Sequence, residues 1–303
     1  MFFYKIEQDL EEYSSLEDYE GDSIVVVDFK EMKRFIKEKK FDVHSVPNYK
    51  NAKCCKATVH KDSLTGVFSI LSKNKKLERK TFGFILYKHQ LIFIDGYSVV
   101  SACIKKIHKN KFHHGMKIGR FFYEFFETLI ESDIRYLEEM GDRLTKMESA
   151  VANGQVTNFA VPMAEFRKEA LMFYRYYTQL IDVATEFQEN ENEYFSKEDL
   201  ELFKKFEIRA KQLQDETRYL REYSNQVRDA FRNQLEVRRD KKMSILTVVD
   251  AMFAPVTLLA GWYGMNFVSM PELQQPYAYP VFIAVSILIV SLVGWYLKRR
   301  NFW

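Results

Sequence analysis

The spacing of apolar and polar positions changes character along the chain. In roughly the first hundred residues, short runs rich in Val, Ile, Phe and Tyr are bounded by Gly, Asp, Asn or Lys clusters. Phe2–Ile6, Ser23–Phe29, Lys56–His60, Gly66–Leu71 and Phe82–Ile94 are therefore read as strands. Phe29–Lys39 and Val99–Lys109 are read as helices. Phe121–Ala152 and Met163–Gln188 follow with helical periodicity, parted by a Gly- and Asn-containing break over Ala152–Thr157. Ser196 with Asp199 three residues on resembles a capping box. From there to Gly264 the only proline is Pro255, so the pattern predicts one helix of about seventy residues, roughly 100 Å at ~1.5 Å per residue.

Two stripes run along that helix. Phe206, Ala210, Leu213, Thr217, Leu220, Ser224, Val227 and Phe231 recur by threes and fours, a seam for packing against another helix. Asp240, Met243, Thr247, Asp250, Ala254, Thr257 and Gly261 share a second face at the same spacing. Extended backward, that register takes in Glu236, Asn233, Asp229, Gln226, Glu222, Tyr219, Asp215 and Gln212. This upstream part reads equally as a solvated face or as the wall of a cation-attracting funnel.

Charge separates the chain into two regimes. From Met1 to Lys242 charged residues occur throughout, whereas from Met243 to Leu297 the only ones are Asp250 and Glu272. Ile245–Trp262 and Pro280–Leu297 each hold about 18 residues, close to the thickness of a hydrocarbon core. Arg238, Arg239, Lys241 and Lys242 precede the first, Lys298, Arg299 and Arg300 follow the second, and Asn266–Tyr279 between them has no Lys or Arg. The positive-inside rule then predicts two spans with both termini cytoplasmic, with Trp262, Tyr263, Tyr277, Tyr279, Trp295 and Tyr296 at the interfaces. The start, MFFYKIEQDLEEY, has the pattern of neither a secretory nor a transit peptide. Small and polar positions inside a span face protein or water rather than lipid, and Asp250 is ionisable at depth. The second stripe is therefore read as pore-lining.

The 303 residues carry 45 Lys+Arg against 42 Asp+Glu, a balance without a nucleic-acid binder's basic excess. With 47% apolar residues, 11 Gly and 6 Pro, the composition excludes a disordered or collagen-like chain. Cys54, Cys55 and Cys103 are too few for a disulfide framework and lack a second pair for a zinc site. His113 and His114 in a basic stretch, and Cys54-Cys55, read more readily as surface and buried residues than as metal ligands. No Gly-rich phosphate loop, H-E-x-x-H or G-x-S-x-G motif supports an enzyme.

At the outer end of the first span stand Tyr263-Gly264-Met265-Asn266-Phe267 and then Met270-Pro271-Glu272-Leu273. With Pro255 inside that span and a basic tail after the second, this arrangement resembles the CorA family of divalent cation transporters over about Met243–Arg300. The resemblance implies an α+β cytoplasmic domain, a long stalk helix continuing into a two-helix transmembrane hairpin, and a homopentameric funnel in a bacterial-type plasma membrane. Residues 1–118 would be the mixed α/β domain, 119–195 a helical layer and 196–243 the stalk. Residues 244–265 would be the first span, 266–279 the outer loop, 280–297 the second span and 298–303 a basic cytoplasmic tail. Gly264, Met265 and Asn266 match the selectivity loop, Met243, Leu246, Thr257 and Gly261 match pore-lining positions, and Glu272 matches the acidic loop residue. Lys298, Arg299 and Arg300 look like the basic girdle at the inner mouth.

The implied cargo is Mg²⁺, held with its water by the neutral Asn266 amides, and cytoplasmic Mg²⁺ is the implied closing ligand. Its regulatory carboxylates are not identified; Glu17, Asp18, Glu20, Asp22, Asp215 and Glu222 are acidic candidates. Carboxylates at Asp240 and Asp250 depart from the family pattern and predict a more strongly cation-attracting pore. Ala254, where many relatives have a bulky Met, places any hydrophobic gate near Met243 and Leu246. A Zn²⁺, Co²⁺ or Ni²⁺ transporter, with or without proton coupling, remains an alternative, as does a membrane-anchored sensor or scaffold.

Overall fold

The computed structural model describes residues 1–6, 10–13, 21–32, 49, 52–73, 78–109, 116–155, 158–266 and 270–300. It divides into two compact units, Met1–Glu148 with Thr157–Val227, and Ser149–Val156 with Arg228–Trp303.

The first unit is built on a seven-stranded sheet, β1 (Phe2–Ile6), β2 (Leu10–Tyr13), β3 (Ser23–Val27), β4 (Lys56–His60), β5 (Ser63–Leu71), β6 (Arg79–Tyr87) and β7 (Gln90–Asp95). Its order is β2-β1-β3-β7-β6-β5-β4, and only β3 and β7 run parallel. Alternation along the strands sorts the apolar residues onto two faces. Val25, Val27, Ile85, Ile92 and Ile94 form one buried cluster with Met32. Phe68, Phe82, Phe84 and Phe93 form the other layer. Helix α2 (Ile118–Ile130) packs on it with Phe121, Phe122, Phe125 and Phe126, all fully buried. Phe84 meets Phe122 at 5.1 Å, Phe82 meets Phe125 edge-on at 5.6 Å, and Phe126 meets Phe206 at 5.1 Å. Each such pair adds about 0.5–1.5 kcal/mol beyond the area it buries. Gly66 lies opposite Phe84, and a Cβ there would sit 2.2 Å from that ring.

The helices α1 (Val99–Lys109), α3 (Asp133–Ala152), α4 (Ala160–Glu189) and α5 (Lys197–Tyr263) follow the sheet or lie between its strands and the C-terminal helix. The capping box is present: the Asp199 carboxylate accepts from Ser196 N at 3.0 Å and from Ser196 Oγ at 2.7 Å. The same carboxylate lies against Gly119 in the first turn of α2, where a Cβ would be 2.3 Å from its carboxyl carbon. The expected seam is present from Phe206 to Val227, with Phe206, Ala210, Leu213, Thr217, Leu220, Ser224 and Val227 all buried, whereas its last member, Phe231, is only half-buried.

Three expectations are corrected. Leu10–Tyr13 is an added edge strand. Phe82–Ile94 is two antiparallel strands turning at Lys88, which takes φ 49°. Phe121–Ala152 is broken after Ile130, where Asp133, 1% exposed, is held by Lys73 and accepts from the Tyr177 hydroxyl at 3.0 Å. Residues 33–39 of the expected helix Phe29–Lys39 lie outside the described residues, as do Glu17, Asp18, Glu20, His113 and His114.

The second unit holds the apolar part of α5, the helix α6 (Ala278–Arg299) and the turn after α3. That turn closes α3 with Gln155 N donating to Ala150 O at 2.8 Å and Gly154 N to Val151 O at 2.9 Å, Gly154 taking φ +72°. This is the double bond of a Schellman stop. Arg238 on α5 donates a hydrogen bond to the Gly154 carbonyl.

Candidate ion pathway

Helices α5 and α6 are both long and apolar enough to cross a membrane, and only 6% of each apolar window is buried. Core helices of a soluble protein would be covered, so these surfaces require lipid or further protein. Within the chain α6 approaches one side of α5 only. Gly294 admits Met252, whose Cε would lie 2.9 Å from a Cβ at that glycine, and Tyr263 meets Phe282 edge-on at 5.8 Å. Val248 and Leu297 are the most covered residues of the two apolar stretches.

At about 100° per residue, Val248, Met252, Leu259 and Tyr263 lie roughly opposite the predicted stripe. Every member of that stripe, Asp240, Met243, Thr247, Asp250, Ala254, Thr257 and Gly261, is exposed. Gly261 would have nothing within 4 Å of a Cβ. Leu246, 53% exposed, stands at the stripe's margin. The upstream residues Gln212, Asp215, Tyr219, Glu222 and Gln226 in the first unit are exposed too. Neither α6 nor any other described element takes this face.

The polar groups on the stripe differ in how they are satisfied. Thr247 Oγ1 donates to Met243 O and Thr257 Oγ1 to Phe253 O, each at 2.9 Å, so both hydroxyls return to their own helix. Asp240 pairs with Arg239 at 3.8 Å, both side chains largely exposed, a weak contact. Asp250 has no ion-pair or hydrogen-bond partner among the described residues.

At its C-terminal end α5 stops at Tyr263, with Gly264 N still donating to Ala260 O at 2.9 Å and Met265 N to Trp262 O at 3.3 Å. The last turn thus carries Gly264 and Met265 out of the helix and leaves Asn266 exposed beyond it. Glu272 falls in a 3-10 turn, Pro271–Gln274. At the C-terminal end of α6 Lys298, Arg299 and Arg300 are exposed, with Arg299 Cζ 5.4 Å from the Trp295 ring and Arg300 Cζ 5.8 Å from that of Tyr296.

Among the described residues no group of three His, Cys, Asp or Glu is arranged to hold a metal ion. Asp22 is paired with His89 at 2.9 Å and Asp215 with Arg218 at 3.0 Å, while Glu222 is exposed. Cys55 is buried and contacts Ser69, as expected of a core residue, whereas Cys54 is exposed. Sequence reasoning missed Arg238 as the partner of the Gly154 carbonyl. The only trace of it was a glycine in the break after Ala152.

A family model described as CorA-like Mg²⁺ transporter protein matches residues 40–299. The chain belongs to the CorA family. CorA proteins are transporters, not enzymes. The cobalt/magnesium transport protein CorA of Thermotoga maritima is 23% identical over 179 residues, which is 59% of this chain and 51% of that relative. The CorA of Methanocaldococcus jannaschii is 25% identical over 186 residues, 61% of this chain and 58% of its own length. The aligned stretches thus span little more than half of these relatives. The solved structure of the CorA magnesium transporter from M. jannaschii superposes with a TM-score of 0.85 at 19% identity, covering 100% of this chain and 98% of that one. That match establishes the CorA fold, with the α/β sheet domain, long helix and terminal apolar helix of the whole CorA chain.

Proposed function

We propose that the chain is one subunit of a homopentameric Mg²⁺ channel of a plasma membrane, with both termini cytoplasmic. The observation that carries this reading is the polar stripe of α5, which is exposed along its whole length on the side away from α6. A single such face cannot enclose water, but several identical copies closed by rotation can, and closure would also cover the apolar flanks.

In that arrangement Asn266 forms an amide collar at the outer mouth. Mg²⁺ demands six oxygens in a tight octahedron and sheds water reluctantly. Neutral amide oxygens touching the hydration shell hold it without the deep trap that inner-sphere carboxylates would make. Below the collar, Gly261 leaves room, Thr257 and Thr247 supply oxygens, and the Asp250 carboxylates supply attraction near the middle of the span. Met243 and Leu246, both more than half exposed, provide the apolar constriction. Cytoplasmic Mg²⁺ bridging carboxylates of neighbouring subunits would favour the closed state by binding it more tightly than the open one.

The test is uptake of Mg²⁺ into liposomes by the purified full-length protein, read with an internal dye, with Zn²⁺ as the competing cargo. Mg²⁺ uptake is expected, and Asn266→Ala should lower it at least about tenfold, the effect of losing ~1.4 kcal/mol of ion binding. Uptake of Zn²⁺ alone would reassign the cargo; no uptake of either would leave a membrane-anchored protein and overturn the reading.

A further inference from the structure

We propose that Trp295 and Arg299, with Lys298 and Arg300 beside them, form a docking site for the headgroup of an anionic phospholipid on the face of α6 turned away from α5. This rests on the membrane reading and on α5 facing the pore, but not on the cargo or the number of subunits.

Direction comes first. Leu297 is the most covered residue of α6, 9% exposed, and marks the side facing α5. Trp295 and Arg299 are each two residues from it, about 200° around the helix, and so lie on the opposite side. Trp295 is 59% exposed there. Where α5 lines the pore, this far side of α6 faces lipid. On this reading Arg299, one of the three residues expected in a girdle around the inner mouth, is aimed at the bilayer surface.

The chemistry of the pair fits that position. An indole settles at the boundary between hydrocarbon and headgroups. Arg299 follows one helical turn later, about 6 Å further along the axis, which is the step from that boundary to the phosphates. Its guanidinium stacks on Trp295, so that fork is already held over an outward-facing ring, while that of Arg300 lies over Tyr296 on the flank of the helix. A guanidinium fork matches two phosphate oxygens, and stacking reduces the freedom it loses on binding. No carboxylate pairs with Lys298, Arg299 or Arg300 among the described residues. The negative end of the α6 dipole favours cations there, but it does not explain stacking on a ring that faces away from the protein. Three cations without a carboxylate partner select a headgroup with net negative charge over a zwitterionic one, in which choline or ethanolamine offsets the phosphate.

The test uses the full chain with Trp262→Phe and Trp303→Phe, which leaves Trp295 as the only one of three tryptophans. The protein is reconstituted in phosphatidylcholine vesicles carrying an equal share of phosphatidylglycerol or phosphatidylcholine brominated high on the acyl chain, and quenching of Trp295 is read. The expected result is quenching by both lipids with about a fivefold preference for phosphatidylglycerol, falling toward parity with Arg299→Gln and largely kept with Arg299→Lys. Equal quenching by the two lipids in the parent protein overturns the site and leaves the membrane reading intact. Quenching by neither lipid overturns the outward orientation of α6 itself. A preference unaffected by Arg299→Gln, with the variant's circular dichroism unchanged, also overturns it.

Discussion

Asp250 is a carboxylate set in about 18 apolar residues, on the open face of α5 and with no partner among the described residues of its own chain. A charge so placed persists in a span only where water, an ion or another subunit compensates it. Asp250→Asn keeps shape and hydrogen bonding while removing the charge. It is expected to reduce Mg²⁺ uptake by about fivefold, the loss of ~1 kcal/mol of attraction to the ion. An unchanged uptake rate in liposomes would show that Asp250 does not meet the cargo. The cysteines give a second residue-scale prediction. Burial pushes the Cys55 and Cys103 thiols up to about 12 from the ordinary 9.0. Because their folded values are raised, the stability they contribute is full below pH 9.0 and is lost as pH rises through about 12. Iodoacetamide on the native protein at mildly alkaline pH should therefore label only Cys54, with the other two appearing on unfolding, counted by mass spectrometry. The charged and polar residues of the candidate pathway were legible in sequence because few ionisable groups interrupt an apolar stretch. The satisfied threonine hydroxyls and the stacked arginines were not, since both depend on which rotamer a helix allows.

Among the elements, strands and helices were readable where one face is uniformly buried. SIVVV in β3 is apolar because both of its sides are covered, and FFYEFF in α2 displays two aromatics per turn because the phenylalanine layer of the sheet lies beneath it. The edge strand Leu10–Tyr13 escaped notice because its last three residues are exposed and only Leu10 is buried. The β6–β7 turn lacks the Asn-Gly or Asp-Gly that marks a hairpin, so Lys88 bears the positive φ without announcing it. The break after Ile130 has no Pro or Gly and is set by the tertiary contacts of Asp133, which no local pattern reveals. The stop of α3 is the place where an element can be probed cleanly. Gly154→Ala introduces a Cβ at φ +72° and only 3.0 Å from Arg238 Nη2. It should destabilise the native protein by about 1–2 kcal/mol, read as a lower midpoint of thermal unfolding in detergent. An unchanged midpoint would mean that the α3 stop and its Arg238 contact contribute nothing to stability.

For the whole molecule, the unpartnered stripe and the exposed apolar flanks of α5 and α6 set a requirement on assembly. Light scattering of the detergent-purified protein, corrected for bound detergent, should give about five times the 36.1 kDa of one chain, and a monomer would remove the enclosed pathway altogether. Such an assembly would also distinguish cations from anions at its uncharged positions. Thr247 and Thr257 have committed their hydrogens to the carbonyls one turn earlier, so what they turn toward the axis is lone pairs alone. Water around a cation points both hydrogens outward and finds acceptors there; water around an anion has spent one hydrogen on the ion, and its outward oxygen finds no donor. A tube walled by such threonines therefore sorts ions by the sense in which they orient their own shell, a polarity filter written in hydroxyl rotamers without a net charge.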